Sequence, residues 1–153
     1  MEQAKKVYDT LRTMLENRGF PVQYDEAELV AHFKGSGEDM PMQFIFRVNV
    51  KQGLLAVHSY LPFRFPEERR PEGALGTLMI NDRLRFGAFD YNIFKGEVRY
   101  RSALYFRDSI LSESLLEWQT DEAIGVVEFF NDKLLALSTG ILDMDGFLKH
   151  ISQ

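Results

Sequence analysis

A chain of 153 residues and 17.8 kDa, 45% hydrophobic and 13% aromatic, can bury a core of its own, since roughly 68–70% of the unfolded surface leaves water at this length. Thirteen Phe, six Tyr and one Trp exclude a disordered segment, and the lack of cysteine excludes disulfides and thiolate metal sites. The net charge of −5 is uneven: −1 over residues 1–60, +2 over 61–110, where eight of the eleven arginines stand, and −6 over 111–153.

Ala4, Val7, Tyr8, Leu11, Met14 and Leu15 recur at helical spacing, and Gly19 and Pro21 stop that helix. The stretch Met1 to Val7 is charged and lacks the apolar segment of an export signal. No apolar run approaches the roughly 18–20 residues of a membrane span. A cytoplasmic protein without membrane contact is therefore expected. Residues 20–24 and 29–34 read as short extended pieces around the turn Asp25-Glu26, and residues 35–39 as a loop. Met42, Phe44, Phe46, Val48 and Val50 alternate with Gln43, Ile45, Arg47 and Asn49, the period of a strand with one face on a core. Lys51-Gln52-Gly53 turns the chain into a return strand over 54–61.

Residues 62–71 hold Pro62, Pro66 and Pro71 and read as a loop leading into a helix. Pro71 suits that helix's first turn, Leu75, Leu78, Met79 and Leu84 are its apolar positions, and Gly87 follows its end. Two strands come next, over 88–92 and 97–106, turned at Lys95-Gly96. In the C-terminal part, Ser112 caps a short helix to Gln119, Thr120 or Asp121 caps a long one to Ser138, and Thr139-Gly140 ends it. A short piece over 146–151 closes the chain. The order is helix, four strands, helix, two strands, helices, joined by hairpin-length links. That implies the α+β class, with an antiparallel sheet of about five to six strands covered by helices on one side, in one domain spanning 1–153.

No motif for chemistry emerges. His32, His58 and His150 are scattered, with no spacing that would clamp a metal. Asp143-Met144-Asp145-Gly146 opens like a calcium loop but lacks the later ligands, and helix capping accounts better for its acids. Gly35-Ser36-Gly37 lacks the third glycine of a dinucleotide loop, and Glu38 and Asp39 beside it repel phosphate. The spaced carboxylates Glu113, Glu117 and Asp121, like Glu128 and Asp132, line a solvated helix face. Neither a cofactor nor a metal is expected, and the chain is not read as an enzyme.

The arginine-bearing middle is the candidate site. Phe63 and Phe65 bracket Arg64, and Arg99 and Arg101 share one strand face. Aromatic and basic side chains together suit single-stranded nucleic acid, but Glu67, Glu68 and Glu72 intervene, and a segment of +2 in an acidic chain argues against it. Phe and Arg are also enriched at protein interfaces. Phe63, Arg64, Phe65, Arg99 and Arg101 are therefore candidate partner-binding residues, the alternative being that both phenylalanines fold back onto the core.

Three segments carry a resemblance: Leu78-Met79-Ile80-Asn81 with Leu84, then Gly87-Ala88-Phe89-Asp90, then Gly96-Glu97-Val98-Arg99-Tyr100-Arg101. From about Ala4 to Leu137 the chain resembles the YbjN family, described as regulators of bacterial sensory transduction. The resemblance implies a fold similar to type III secretion chaperones, commonly dimeric, with no catalytic residues to transfer. Asn81 either ties its helix end to the adjoining strand turn or simply faces solvent. The expected role is a non-catalytic module, acting as a homodimer, that binds another protein. The alternative is a small-ligand sensor with an apolar cavity between the sheet and the C-terminal helix.

Overall fold

The computed structural model describes residues 1–152. Eleven elements follow one another: α1 (Glu2–Arg18), β1 (Gln23–Asp25), β2 (Val30–Ser36), β3 (Pro41–Asn49), β4 (Leu54–Arg64), a 3-10 turn (Glu67–Arg69), α2 (Arg70–Arg83), β5 (Ala88–Asn92), β6 (Glu97–Tyr105), α3 (Glu113–Thr139) and α4 (Met144–Ile151). The strands form one fully antiparallel sheet in the order β1-β2-β3-β4-β6-β5, the α+β architecture that the pattern of elements implies. The sheet's apolar face lies under the helices. Phe44 and Phe46 of β3, Leu55 and Val57 of β4, and Val98 and Tyr100 of β6 meet Leu11 and Leu15 of α1 and Leu116, Val127 and Leu134 of α3 in one buried core.

Four local readings need correction. First, β1 begins only at Gln23: residues expected to be extended hold a tight turn over Pro21, where the Phe20 carbonyl accepts from the Val22 N–H at 2.9 Å, and the Phe20 ring stacks on Phe33 with centroids 4.5 Å apart. Second, the loop expected over 62–71 starts late, since β4 continues through Pro62 to Arg64. Proline is tolerated there because no regular partner requires its missing N–H. The ladder to β3 has ended at Ile45↔His58, and pairing with β6 is irregular between Tyr60 and Arg64.

Third, Leu75 and Leu78 do not form the packing face of α2 but lie exposed. The buried stripe is Gly73, Gly76, Thr77 and Ile80, a small-residue face that brings α2 close to its neighbours. A methyl group at Gly76 would stand 2.7 Å from the Leu137 side chain. Fourth, the two helices expected between Ser112 and Ser138 are one 27-residue helix. Thr120 does not cap. Its hydroxyl donates back to the Leu116 carbonyl at 2.8 Å within the helix, while the buried Gln119 amide reaches the Leu55 carbonyl and the Ser102 hydroxyl, each at 3.4 Å. Ser112 caps α3 by accepting from the Leu115 N–H, and Asp143 caps α4 by accepting from Gly146 N–H at 2.7 Å.

Asn81 ties helix to strand. Its Nδ2 donates to the Phe89 carbonyl at 2.9 Å and its Oδ1 accepts from the Phe89 N–H at 2.8 Å, as a neighbouring strand would. Edge strand β5 is thereby closed at its centre, beside α2.

Candidate binding site on the open sheet face

Alternation sends every second strand residue to the face that no helix covers. Cross-strand register fixes which of these are neighbours. Ile45 lies opposite His58, His58 opposite Arg101, Tyr60 opposite Arg99, and Arg99 opposite Asp90. The open face thus collects Lys34, Arg47, Arg64, Arg99 and Arg101 against Asp25, Asp90 and Glu97, a basic surface on an acidic chain.

Asp90 is the hinge of its charge pattern. Arg99 Nη2 and Nε donate to Asp90 Oδ2 at 2.5 and 3.2 Å, and Arg101 Nε donates to Oδ1 at 2.8 Å. Burial pushes the Asp90 carboxyl up, but the hydrogen bonds from Arg99 and Arg101 outweigh it and hold the group below its ordinary value. His58 is driven the other way. Partial burial, then the Arg99 charge, lowers its pKa; Asp90 pulls the other way, and Arg47 and Arg101 add smaller downward contributions. His58 is therefore held toward its neutral form, with Arg99 the strongest of the charges that act on it.

Three concavities meet on Tyr60, which is 40% exposed. One, of about 470 Å³, lies between Tyr60, Arg99 and the β5–β6 hairpin. A second, of about 240 Å³, runs past Phe63 and Arg64 to Glu97, and a third, of about 220 Å³, lies between Tyr60 and the start of β3. Together they make a trough along the open face. The hairpin forms one rim. Asn92 Oδ1 accepts from the N–H groups of Phe94 and Lys95 at 3.0 and 3.2 Å, a turn that leaves Phe94 84% exposed. Gly96 closes that turn at φ 73°, and its carbonyl accepts from the Phe65 N–H at 2.9 Å; a Cβ there would stand 2.2 Å from the Phe65 carbonyl oxygen.

Of the five residues singled out in the sequence, Phe63, Arg64 and Arg99 line the trough. Arg64 pairs with Glu97 at 3.1 Å, and Arg101 stands beside the trough on Asp90. Phe65 does not line the trough, although its ring lies 6.4 Å from that of Phe63, which is itself partly packed on the core. The Phe65 ring is fully buried, edge-on to Tyr91 at 5.7 Å, so it belongs to the core and not to the exposed face. Nor does all of the arginine cluster face this site. Arg69 turns to the end of α3, donating to the Leu137 carbonyl at 2.8 and 3.1 Å. Sequence reasoning missed Tyr60, whose ring takes the Arg99 guanidinium at 5.8 Å, and Phe94. Register across β4 and β6 was the only signal for Tyr60. Among the described residues, no group of three or more His, Asp and Glu side chains is placed to hold a metal ion, and no helix is long and apolar enough to cross a membrane.

Residues 8–136 match the family YbjN, described as "Putative bacterial sensory transduction regulator". The chain belongs to the YbjN family. No curated protein matches the sequence. Among solved structures, the fold is similar to the crystal structure of YbjN from E. coli, described as "a putative transcription regulator", at 10% identity and TM-score 0.62, covering 87% of this chain and 92% of that one. An uncharacterized protein from Methanothermobacter thermautotrophicus is also similar, at 13% identity and TM-score 0.55, covering 88% and 98%. At these identities the likeness is one of fold.

Proposed function

We propose that this YbjN-family chain is a non-catalytic regulatory module of the cytoplasm that works as a homodimer and holds an extended segment of another protein on the open face of its sheet. The observation that carries this reading is the trough on Tyr60, basic and partly apolar, on a sheet face left bare of helices. Extended segments bind such faces through side chains laid into grooves and through charge of the opposite sign. In the space where a ligand cavity would lie, between the sheet and α3, the side chains of Leu116, Ala123, Val127 and Leu134 are fully buried against the core, which favours the partner reading over a small-ligand sensor.

Affinity capture from native lysate tests the face. The wild-type chain returns the same protein repeatedly, the pair Arg99→Glu and Arg101→Glu loses it, and Glu122→Lys on α3 keeps it. Loss in all variants, or capture of nothing by the wild type, overturns the reading. The homodimer is supported by Leu75 and Leu78 of α2 and Leu148 of α4, large apolar side chains left exposed on the helical side. Light scattering at micromolar concentration gives twice 17.8 kDa if the dimer is correct, and Leu78→Glu returns the monomer; a wild-type particle of 17.8 kDa removes the dimer from the proposal.

A further inference from the structure

The sheet is not zipped along its whole length. β2 and β3 stay paired out to Ser36↔Pro41, and β4 stays on β6 out to Arg64↔Glu97, yet the ladder between β3 and β4 stops at Ile45↔His58. Continued at the same register, Pro41 would stand opposite Pro62. Neither proline has an N–H to give, so pairing at the far end would gain no donor, and the two strands stay apart from Phe44 and Ser59 onward. The gap is the 220 Å³ pocket, with Pro41, Met42 and Gln43 on one wall, Tyr60 and Pro62 on the other, and Lys34 at its rim.

We propose that this proline-held split is an anchor pocket that takes one large aromatic side chain from an extended, acidic segment of a partner protein. The inference deepens the reading above and rests on it. The lining is largely two prolines, a methionine and a tyrosine, the kind of surroundings in which aromatic rings are held at interfaces. The rim supplies the sign of the partner's charge. Lys34 stands at the pocket, and Arg64 and Arg99 border the adjoining concavities along β4 and β6. Asp90 and Glu97 also line the trough, so cationic sites alternate with anionic ones. Such a pattern accepts separate carboxylates on a peptide and repels the continuous charge of a phosphate backbone. The missing donors at Pro41 and Pro62 also disfavour insertion of another strand, which leaves the split as a hole for a side chain.

Fluorescence polarisation with short capped peptides tests this on the full chain. One peptide carries a central Trp flanked by Glu, the second the same Trp flanked by Lys, and the third a central Ala flanked by Glu; a thymidine oligonucleotide is the fourth probe. The Glu-flanked Trp peptide binds at least about tenfold tighter than each of the others. Pro41→Val with Pro62→Val restores two donors, lets β3 and β4 zip, raises amide protection at 41–44 and 59–62, and abolishes the preference for Trp over Ala. Tyr60→Ala, at an exposed position, abolishes the same preference if the double variant does not fold. Equal binding of the Trp and Ala peptides, of the Glu-flanked and Lys-flanked peptides, or a Trp preference that survives both sets of substitutions, overturns the pocket. Tighter binding of the oligonucleotide than of any peptide does so too. If lysate capture still depends on Arg99 and Arg101 in any of those cases, the open-face reading stands without the pocket; if capture also fails, both fall.

Discussion

The two faces of this sheet are written in the same strands and do different work. Along β3, Phe44, Phe46 and Val48 point to the helices and are buried, while their neighbours Gln43, Ile45 and Arg47 point the other way. The helical side gathers acid as well as core: α3 holds six acidic residues and a single lysine, with Glu117 and Asp121 paired to Arg18 of α1 at 3.3 and 2.8 Å. The open side gathers arginine. One face thus carries stability, and the other carries charge at little cost to stability. Changes to adjacent residues should separate the two.

The largest contrast is between Phe46 and Arg47. Phe46→Ala removes a ring that is 1% exposed in the middle of the core and should lower unfolding free energy by about 3–5 kcal/mol in a urea titration. Arg47→Ala, one residue on, should stay within about 0.5 kcal/mol. Comparable losses at the two positions would mean that the open face is covered in the folded protein and that the two faces do not divide stability from charge.

Asn81 sharpens the comparison at the sheet's edge, where stability comes from a polar group. Asn81→Ala leaves the Phe89 N–H and carbonyl without partners in a half-buried place and should cost about 2–3 kcal/mol, with faster amide exchange confined to β5. Global loss of protection without a local change at Phe89 would contradict the assigned role.

These two cases also show what the amino-acid order could reveal. Alternation along β3 and β6 made the buried and open sets readable in advance, because strand period does not depend on what lies across the sheet; Val50, counted with the buried set, is the exception, exposed in the turn just past the end of β3. The tie from Asn81 was one of two options from the sequence, as only tertiary placement of α2 against β5 decides whether the amide meets a strand edge. Phe65, left between partner contact and core, and Tyr60, not singled out at all, share a related reason. Both are aromatic residues of one segment, and the irregular pairing between Tyr60 and Arg64, which local sequence does not encode, accompanies their opposite fates as trough wall and buried core. In α3, the polar run Gln119-Thr120-Asp121 mimics a helix start, yet the sheet and the preceding turn supply partners for the first two side chains.

Asp90 measures how much stability the open face does hold. Asp90→Asn keeps the shape of the side chain but removes the charge shared by Arg99 and Arg101. Because these groups are about one-third or more exposed, screening limits the loss to about 0.5–1 kcal/mol in the same titration. The carboxyl sits below its ordinary value, so its contribution is present above about pH 4 and is lost as pH falls through the folded value. The variant should therefore match the wild type more closely in acid than at neutrality.

His58 provides the smallest effect and a separate pH window. Its folded pKa lies below the ordinary 6.5, chiefly through burial and next through Arg99, so the unfolded chain binds the proton more readily than the folded one. Stability associated with the neutral imidazole is then complete above the ordinary value and declines as pH falls from there toward the folded value. His58→Gln, a neutral side chain able to hydrogen-bond at the same position, should flatten the decline between about pH 7 and pH 5 while leaving the carboxylate region below about pH 4 unchanged. The measurement is a set of thermal melts across that range. If the variant keeps the full wild-type slope, His58 is not the group behind the decline, and neither its burial nor the Arg99 charge shifts it as assigned. If instead the slope vanishes, the decline belongs to His58, and adding the Glu-flanked Trp peptide separates the share of the arginines from that of burial: carboxylates brought among those arginines should raise the His58 pKa toward its ordinary value.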